Sequence, residues 1–412
     1  MSKLLAGASK TDITPPLHVP YLGFEPRQAL FEGVHDPLYA RAAAFQTGDD
    51  AVAILSADAL GLSRDLFGPG RDFIDEVRLA AGAETGLSPD AILIAATHAH
   101  ATPETYGITR IWEREDCAEW LEDLARQLAE TIAAAWRDRS SAELRVGAGS
   151  VEGMTCNRRA RFGGPAPVDE SVQVLLAERE NAGPIVIANA TCHPVTVQVQ
   201  PLVSADFPGV ATRLVEDTIG GCCLFLQGPS GDINPAKGHT GEWRDVETYG
   251  LMLAGGILHA IGNARLSELL DPILVSRSTV ITVSARQAPS VEEAEAALAE
   301  GNRAASEAYR LAQFGQEPID VELQALRIGD AAIAAFPGEL FCALGLQLKA
   351  DSPAGMTMIA ECANGCLGYL VPEDDWDRGG YEVGMGAWCR VAQGEPERMT
   401  QTAQALLSGL FD

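Results

Sequence analysis

The chain has 412 residues, of which 47% are hydrophobic and 21% charged, so it can form a large core and is not composed like a disordered protein. Its formal net charge of −27 repels phosphate backbones and anionic lipid surfaces, which excludes nucleic acid and membranes as expected partners. No stretch reaches the roughly 18 apolar residues of a membrane-spanning helix, and nine cysteines without a regular spacing predict a reduced, cytoplasmic protein.

The first two-thirds of the chain alternates between short apolar runs and helical periodicity. The apolar runs predict strands at residues 51–55, 91–97, 144–147, 172–177, 185–191 and 224–227. Apolar residues at helical spacing predict helices at 68–84, 117–137, 208–218 and 244–266. This alternation predicts an α/β fold, with layered mixed sheets and flanking helices.

The pattern changes near residue 270, which is the best candidate for a boundary within a single domain spanning 1–412. A strand at 273–283 and a long helix at 290–313 are predicted next. A hairpin follows, with strands at 321–328 and 331–336 joined by Gly329-Asp330, then a helix after Glu339 and a strand at 356–361. Residues 363–386 are rich in Gly, Asp and Trp and predict a structured loop, and the sequence shows no internal repeat.

Two of the predicted strands end on histidines. One leads into His98 and His100, and the other leads into His193. Open α/β sheets place their sites at strand ends, and two histidines two positions apart on an extended segment face the same side. Catalytic zinc prefers neutral imidazoles with a carboxylate and an open position. The pattern therefore predicts a metal centre, with ordinary polar strand ends as the alternative.

Three other polar positions are candidates for chemistry. Residues 227–235 form a turn-rich loop after a strand, where backbone N–H groups can face an anion and Ser230 is a possible nucleophile without an assigned base. Asp206 precedes a predicted helix, as an N-cap would. Glu339 follows a strand and a turn, and in isolation it indicates an acid in the first turn of a helix.

Taken together, these motifs resemble the catalytic domain of the neutral/alkaline non-lysosomal ceramidases over nearly the whole chain. The matching segments are Gly7–Pro16, His35–Arg41, Ser56–Asp58, Thr97–His100, Asn157-Arg158, Cys192–Pro194, Gly231–Pro235, Pro337–Glu339 and Gly368-Tyr369. The resemblance implies a ceramidase-like α/β fold. We expect residues 1–412 to lack the family's C-terminal immunoglobulin-like domain and its secretion signal.

The resemblance also implies a set of site residues. The zinc ligands would be His98, His193, Glu339 and Tyr369, with Tyr381 as a nearby competitor for the last position. His100 and Arg158 would polarise and orient the substrate carbonyl, with His100 transferring the proton. Asp206 and Asp232 could orient the ligating histidines by accepting their remaining N–H groups.

One position departs from the family. Asn234 stands where those enzymes have a serine nucleophile, and an amide cannot attack a carbonyl as an alkoxide does. Asn234 can instead donate to a developing oxyanion or orient a water molecule. With the serine absent, the expected nucleophile is a zinc-activated water, whose pKa falls from about 15.7 to about 7 on the metal.

We therefore predict a zinc-dependent hydrolase acting on a small polar amide, ester, lactone or glycoside rather than on ceramide. Imidazole, carboxylate and phenolate ligands also suit iron or manganese, so a metal-dependent lyase or isomerase with His100 as the base is the alternative. A third hypothesis is that the protein is a non-catalytic binding paralogue. A homo-oligomer is compatible with a chain of this size, although no feature of the sequence demands one.

Overall fold

The computed structural model describes residues 3–21, 29–300 and 305–412. The strands are β1 (Leu4–Asp12), β2 (Gly33–Val34), β3 (Tyr39–Thr47), β4 (Asp50–Ala57), β5 (Ile92–Ala96), β6 (Ser140–Ser150), β7 (Thr155–Asn157), β8 (Ser171–Arg179), β9 (Ile185–Ala190), β10 (Leu202–Val203), β11 (Cys222–Gln227), β12 (Ile233–Pro235), β13 (Leu274–Val283), β14 (Ile319–Ile328), β15 (Ala331–Ala335), β16 (Glu339–Leu340), β17 (Met356–Ala360) and β18 (Tyr369–Leu370). The helices are α1 (Phe73–Thr85), α2 (Glu115–Arg137), α3 (Asp206–Ile219), α4 (Trp243–Leu266), α5 (Val291–Ala299), α6 (Ala305–Gln313), α7 (Cys342–Asp351), α8 (Glu373–Trp376) and α9 (Glu395–Gly409).

An eight-stranded sheet has the order β11-β9-β8-β6-β1-β3-β4-β5, and a four-stranded sheet has the order β13-β14-β15-β17. The centre of the large sheet is antiparallel, and each of its edges is a parallel pair, β4 with β5 and β9 with β11. The small sheet is antiparallel up to β15, which pairs in parallel with β17. A parallel neighbour requires a crossover connection, and α1, α3 and α7 lie within these three connections.

The two sheets therefore contain one arrangement three times. Each unit has three successive antiparallel strands, a crossover helix, a fourth strand parallel to the third, and then another helix. The units are β1-β3-β4-α1-β5-α2, β6-β8-β9-α3-β11-α4 and β13-β14-β15-α7-β17-α9. The sequence showed no repeat because the units share a connection pattern rather than residues. The predicted boundary near residue 270 lies between the second and third units, and the division into domains stays a prediction.

The units stack in four layers, helices–sheet–sheet–helices. Strand β5 contacts both neighbouring layers, because successive side chains of a strand point to opposite faces of the sheet. Ile92, Ile94 and Ala96 pack under α1 and α2, whereas Leu93 and Ala95 join the cluster between the two sheets. Helices α3 and α4 cover the other half of the large sheet, and α7 and α9 cover the small sheet. Strands buried on both faces explain the continuous apolar runs in the sequence.

The predicted α/β class is confirmed, and so is the hairpin, since β14 and β15 pair antiparallel. The helix predicted from residue 68 begins at Phe73, because Asp72 caps it and accepts from the N–H of Asp75. The helix predicted at 290–313 is described as α5 and α6, with residues 301–304 outside the described part. Strands β1 and β3 were not predicted, because each has a single β-branched residue, Thr11 or Thr47, among several small ones.

The loops that follow β5, β9, β15 and β17 carry the predicted histidines, Glu339 and Tyr369. Since every unit ends its buried strands at a loop, the stacking of the units brings residues that are far apart in sequence to one place. Among the described residues, no helix combines the length and the hydropathy required to cross a lipid bilayer.

Candidate metal centre

Three imidazoles converge at the edge of the large sheet. The Nε2 atom of His193 lies 2.9 Å from the Nε2 atoms of both His98 and His100, and those two atoms lie 3.3 Å apart. His98 and His193 are fully buried, whereas His100 is half-buried. The convergence predicted from sequence is present, but its reason was wrong. Strand β5 ends at Ala96, and His98 adopts a left-handed backbone with a φ of 66°, so the segment is not extended.

A backbone carbonyl oxygen holds the other ring nitrogen of His98 and of His193. His98 Nδ1 lies 2.6 Å from the Leu60 carbonyl oxygen, and His193 Nδ1 lies 3.1 Å from that of Ser230. A carbonyl oxygen can only accept, so each Nδ1 carries the proton and each neutral ring has its lone pair at Nε2. Lone pairs facing each other at 2.9 Å repel unless a proton or a cation lies between them. The donor set therefore fits a metal ion.

Glu339 completes this arrangement from β16. Its Oε2 atom lies 3.5 Å from His98 Nε2 and 3.8 Å from His193 Nε2. That oxygen is buried without a hydrogen-bond partner, whereas Oε1 accepts from the Tyr106 hydroxyl. A buried carboxylate oxygen without a partner is costly, and a cation beside the three imidazoles would satisfy it. We refer to His98, His100, His193 and Glu339 as the histidine cluster.

The protonation of the cluster reflects its crowding. Burial lowers the pKa of His98, but the Glu339 carboxylate outweighs burial and raises this pKa to about 9. Burial and the neighbouring imidazoles both lower the pKa of His193 well below its ordinary value. In Glu339, burial raises the pKa, but His98 outweighs it, so the net shift is downward. Neighbouring rings with opposite shifts are the behaviour expected of groups competing for one positive charge.

The two tyrosines proposed as ligands lie at different depths. Tyr369 is buried and pairs with Glu339 in the parallel β16–β18 ladder, so both residues face the same cavity. Tyr381 is 47% exposed and lies further out, with its ring stacked on Trp388. The Arg158 guanidinium lies 5.3 Å from the centre of the Tyr369 ring. The depth favours Tyr369 over Tyr381, and its role as a ligand stays a prediction.

Arg158 is fixed at the cavity wall by three contacts. It donates to a Glu382 carboxylate oxygen at 2.8 Å, to the Gly231 carbonyl at 2.6 Å and to Asn234 Oδ1 at 3.1 Å. Because the amide oxygen of Asn234 accepts from Arg158, the amide N–H₂ remains as its donor group. Both residues line the cavity with the histidines, as the predicted substrate-orienting roles require.

Asp206 and Asp232 lie elsewhere than predicted. Asp206 accepts from the backbone N–H groups of Phe207 and Val197, and Asp232 accepts from Asn157 and from the N–H of Cys342. Backbone carbonyls, not these carboxylates, receive the Nδ1 protons of the two buried histidines. Both aspartates support loops around the site, and the prediction that they orient the ligands is corrected accordingly.

Ser230 is not placed as a nucleophile. Its side chain is buried, its hydroxyl donates to Glu361, and its N–H donates to the same carboxylate at 2.9 Å. The serine does not line the cavity, and what it offers the site is its carbonyl oxygen, which accepts from His193. Glu361 thus acts by holding the loop that orients a histidine.

The cavity beside the histidine cluster has a volume of about 240 Å³ and is partly open to solvent. Leu60, Ile108 and Val195 supply apolar surface, and Tyr381 and Trp388 form a stacked aromatic wall with ring centroids 4.7 Å apart. Pockets for drug-sized ligands usually measure about 300–1,000 Å³, so this space suits a small substrate or a small part of a larger one.

Sequence reasoning missed Tyr106, Glu361 and Glu382. Glu361 had a signal, because it ends the predicted strand 356–361 as the histidines end theirs. Tyr106 lies in a loop and Glu382 in a single 3₁₀ turn, neither with periodicity in the sequence, so only the folded chain brings Tyr106 to Glu339 and Glu382 to Arg158.

Comparison with known proteins supports the architecture. No protein-family model and no curated protein sequence matches the chain. Among solved structures, the neutral ceramidase from Pseudomonas aeruginosa superposes with a TM-score of 0.81 and 16% sequence identity, over 100% of this chain and 75% of that one. A ceramidase complexed with C2 gives a TM-score of 0.81 and 15% identity, over 100% of this chain and 76% of that one. The protein therefore has the fold of the neutral ceramidases.

Proposed function

We propose that the protein is a metal-dependent hydrolase of small amides or esters, with zinc as the expected metal. The observation that carries the proposal is the buried histidine cluster, in which three Nε2 atoms lie within 3.3 Å of one another beside an unpartnered Glu339 oxygen. Such an arrangement is unfavourable in a protein without a cation and favourable with one. The neutral ceramidases named above, which share the fold, support hydrolysis as the reaction class.

The residues that would hold the metal are His98, His193 and Glu339, with Tyr369 as the predicted fourth ligand. His100 has its Nε2 as close to the others as a ligand would, but it is the one imidazole of the three that is not fully buried. It therefore suits either a third ligating ring or the predicted proton transfer to the leaving group. When bound, a divalent cation would supply Lewis acidity and a nucleophilic water near neutral pH.

The remaining residues would bind and orient the substrate. Arg158 is held by Glu382, Gly231 and Asn234, so its guanidinium is positioned before substrate arrives and costs little reorganisation. It would stabilise negative charge on the carbonyl oxygen, and the Asn234 N–H₂ would donate to the same region. Because Asn234 cannot form an acyl-enzyme, we propose direct hydrolysis by water.

The substrate would be small. The cavity volume of about 240 Å³ is less than a lipid with two long chains would fill, which supports an amide, ester, lactone or glycoside other than ceramide. All nine cysteines are free thiols, in keeping with the predicted cytoplasmic location, which stays a prediction, as does a homo-oligomer.

Two measurements test the proposal. Elemental analysis should give one metal ion per chain in the purified protein, and chromogenic amides and esters should be hydrolysed in ¹⁸O-labelled water. A hydrolase places solvent oxygen in a product, whereas a lyase or isomerase turning over the same metal site does not. Absence of a stoichiometric metal, or turnover without the label, would contradict the proposal.

A further inference from the structure

The cavity is bordered by a short 3₁₀ helix that carries three arginines, Arg158, Arg159 and Arg161. A 3₁₀ helix has three residues per turn, so Arg158 and Arg161 lie one above the other on the same face. Arg159 points away and is buried against Glu382 and Asp375. The face of the helix that lines the cavity therefore presents two guanidinium groups, one turn apart.

These two guanidiniums differ in their partners. Three of the five N–H groups of Arg158 donate to the Glu382 carboxylate, a carbonyl and an amide oxygen, and the others remain for a substrate oxygen. Arg161 is exposed at the mouth of the same cavity, and its only described contact is with the ring of Phe162, whose centre lies 4.8 Å away. Arg161 makes no ion pair with any residue in the ranges the structure describes.

The cavity has no carboxylate left for Arg161. The acidic side chains that line the described cavity are Glu339 and Glu382. Glu339 belongs to the histidine cluster, and Glu382 binds two guanidiniums, those of Arg158 and Arg159. Among the described lining residues, Arg161 is therefore the arginine whose charge no carboxylate neutralises. An exposed guanidinium of this kind attracts small anions to the mouth of the cavity.

We propose that the substrate carries a carboxylate, which Arg161 binds while the scissile carbonyl lies at Arg158 and the histidine cluster. The inference rests on the proposed function and narrows its substrate class to small acyl compounds with a free carboxylate, such as acylated amino acids. A guanidinium presents two parallel N–H donors that match a carboxylate, and Arg161 is placed one turn outward from the group that would orient the carbonyl. A neutral lipid amide would leave this cation without a partner.

The test compares two probes of nearly the same shape. N-acetylglycine carries a carboxylate, and N-acetylglycinamide carries a neutral amide in its place. Ligand-observed NMR titrations would measure their binding to the wild-type chain and to Arg161→Ala, each in metal-loaded and metal-free form. The metal-free arm matters because a carboxylate can also bind a cation directly. We expect the wild-type chain to prefer the charged probe by roughly tenfold, as for one charge-assisted contact. Arg161→Ala should lose this preference without weakening the neutral probe.

Two further variants sharpen the result. Arg161→Lys should keep part of the preference, because the charge remains but the paired donors do not. Arg126→Ala is the matched control, since Arg126 is exposed on α2 and pairs with Asp123 away from the cavity. The proposal is overturned if the wild-type chain binds both probes alike, or if Arg161→Ala retains the preference.

The outcome is separable from that of the proposed function. If Arg161-dependent carboxylate binding persists in the metal-free protein while the loaded protein hydrolyses nothing, this inference stands and the hydrolase assignment fails. If the loaded protein hydrolyses charged and neutral compounds equally well, the hydrolase assignment stands and this inference fails.

Discussion

Two buried ionisable clusters lie side by side in the wall of one cavity, and they are completed in different ways. In the first, which we call the arginine cluster, Arg158 and Arg159 meet Glu382, and every nitrogen of both guanidiniums has an acceptor of its own. In the histidine cluster, the Nε2 atoms face one another and Glu339 Oε2 has no hydrogen-bond partner. The side chains of Arg159 and Glu382 in one cluster, and of His98, His193 and Glu339 in the other, are at most 3% exposed, so solvent does not explain the difference.

The comparison distinguishes buried charges that stabilise the fold from buried charges that are arranged to bind a ligand. Buried polar groups are nearly always satisfied, and a buried charge is tolerated when its partners come from the protein itself. The arginine cluster meets this condition, so it can hold the cavity wall in place. The histidine cluster meets it only when a proton or a metal ion is added. The following predictions test whether the two clusters differ in this way, beginning with the largest effect.

Removing a ligand should abolish stoichiometric metal binding. We expect His98→Ala and Glu339→Ala to lower metal affinity by about 100- to 1,000-fold, since a binding free energy of about 10–16 kcal/mol is shared among about four ligands. Elemental analysis after dialysis would measure the metal content, and metal-dependent activity should be lost with it. Circular dichroism should show a folded protein in both cases. Retention of one metal per chain in either variant would place the site elsewhere.

Breaking the arginine cluster should cost stability instead of metal. The side chains of Arg159 and Glu382 are each 1% exposed, and removal of one partner of a buried ion pair typically costs about 3–5 kcal/mol. Arg159→Met should therefore lower the free energy of unfolding by that amount in urea titrations, while elemental analysis still finds one metal ion. If the variant lost metal but kept its stability, the assigned roles of the two clusters would be reversed.

Asp206 is a buried carboxylate outside both clusters, and it should make the free energy of unfolding depend on pH. Burial raises the pKa of Asp206 from 3.8 to about 6, so folding takes up a proton between these values. The free energy of unfolding must then fall as the pH rises through this window, by up to about 3 kcal/mol. Asp206→Asn removes this term, so the stability advantage of the wild-type chain should shrink between pH 4 and pH 6.

The measurement is a series of urea titrations of both proteins across this pH range. Asp206→Asn should also retain one metal ion, because the aspartate accepts backbone N–H groups and not a histidine. A constant difference in stability across the range would show that Asp206 is ionised throughout.

The smallest effect is expected at Tyr106, which donates its hydroxyl to Glu339 Oε1 and so holds the carboxylate. Groups that orient a metal ligand typically change metal affinity by about 10–100-fold. We expect Tyr106→Phe to weaken metal binding by about tenfold in competition with a chelator, with little change in stability, since the ring remains buried. Unaltered affinity would indicate that packing alone positions Glu339.

The site was partly predictable, and the reasons differ by residue. His98 and His193 could be predicted because each follows an apolar run that must be a buried strand, and strand ends are where α/β folds place their sites. At Glu339 the residues alone indicated an acid in the first turn of a helix, and its role as a ligand was implied by the family resemblance. Asp206 and Asp232 were predicted to orient histidines from residue type alone, and the carbonyls of Leu60 and Ser230 make those contacts. A backbone carbonyl has no identity in a sequence, so such partners cannot be predicted from residue types.

The sequence by itself determined the class of the fold, the positions of most strands and the histidines at their ends, because burial requires apolar residues at regular spacing. It did not determine the threefold arrangement of units, since strands such as β3 with several alanines are held by their neighbours rather than by local propensity. Nor did it show that Arg161 lacks a carboxylate while Arg158 and Arg159 share one. Charge balance depends on distances between residues more than 200 positions apart, and only the folded chain sets those distances.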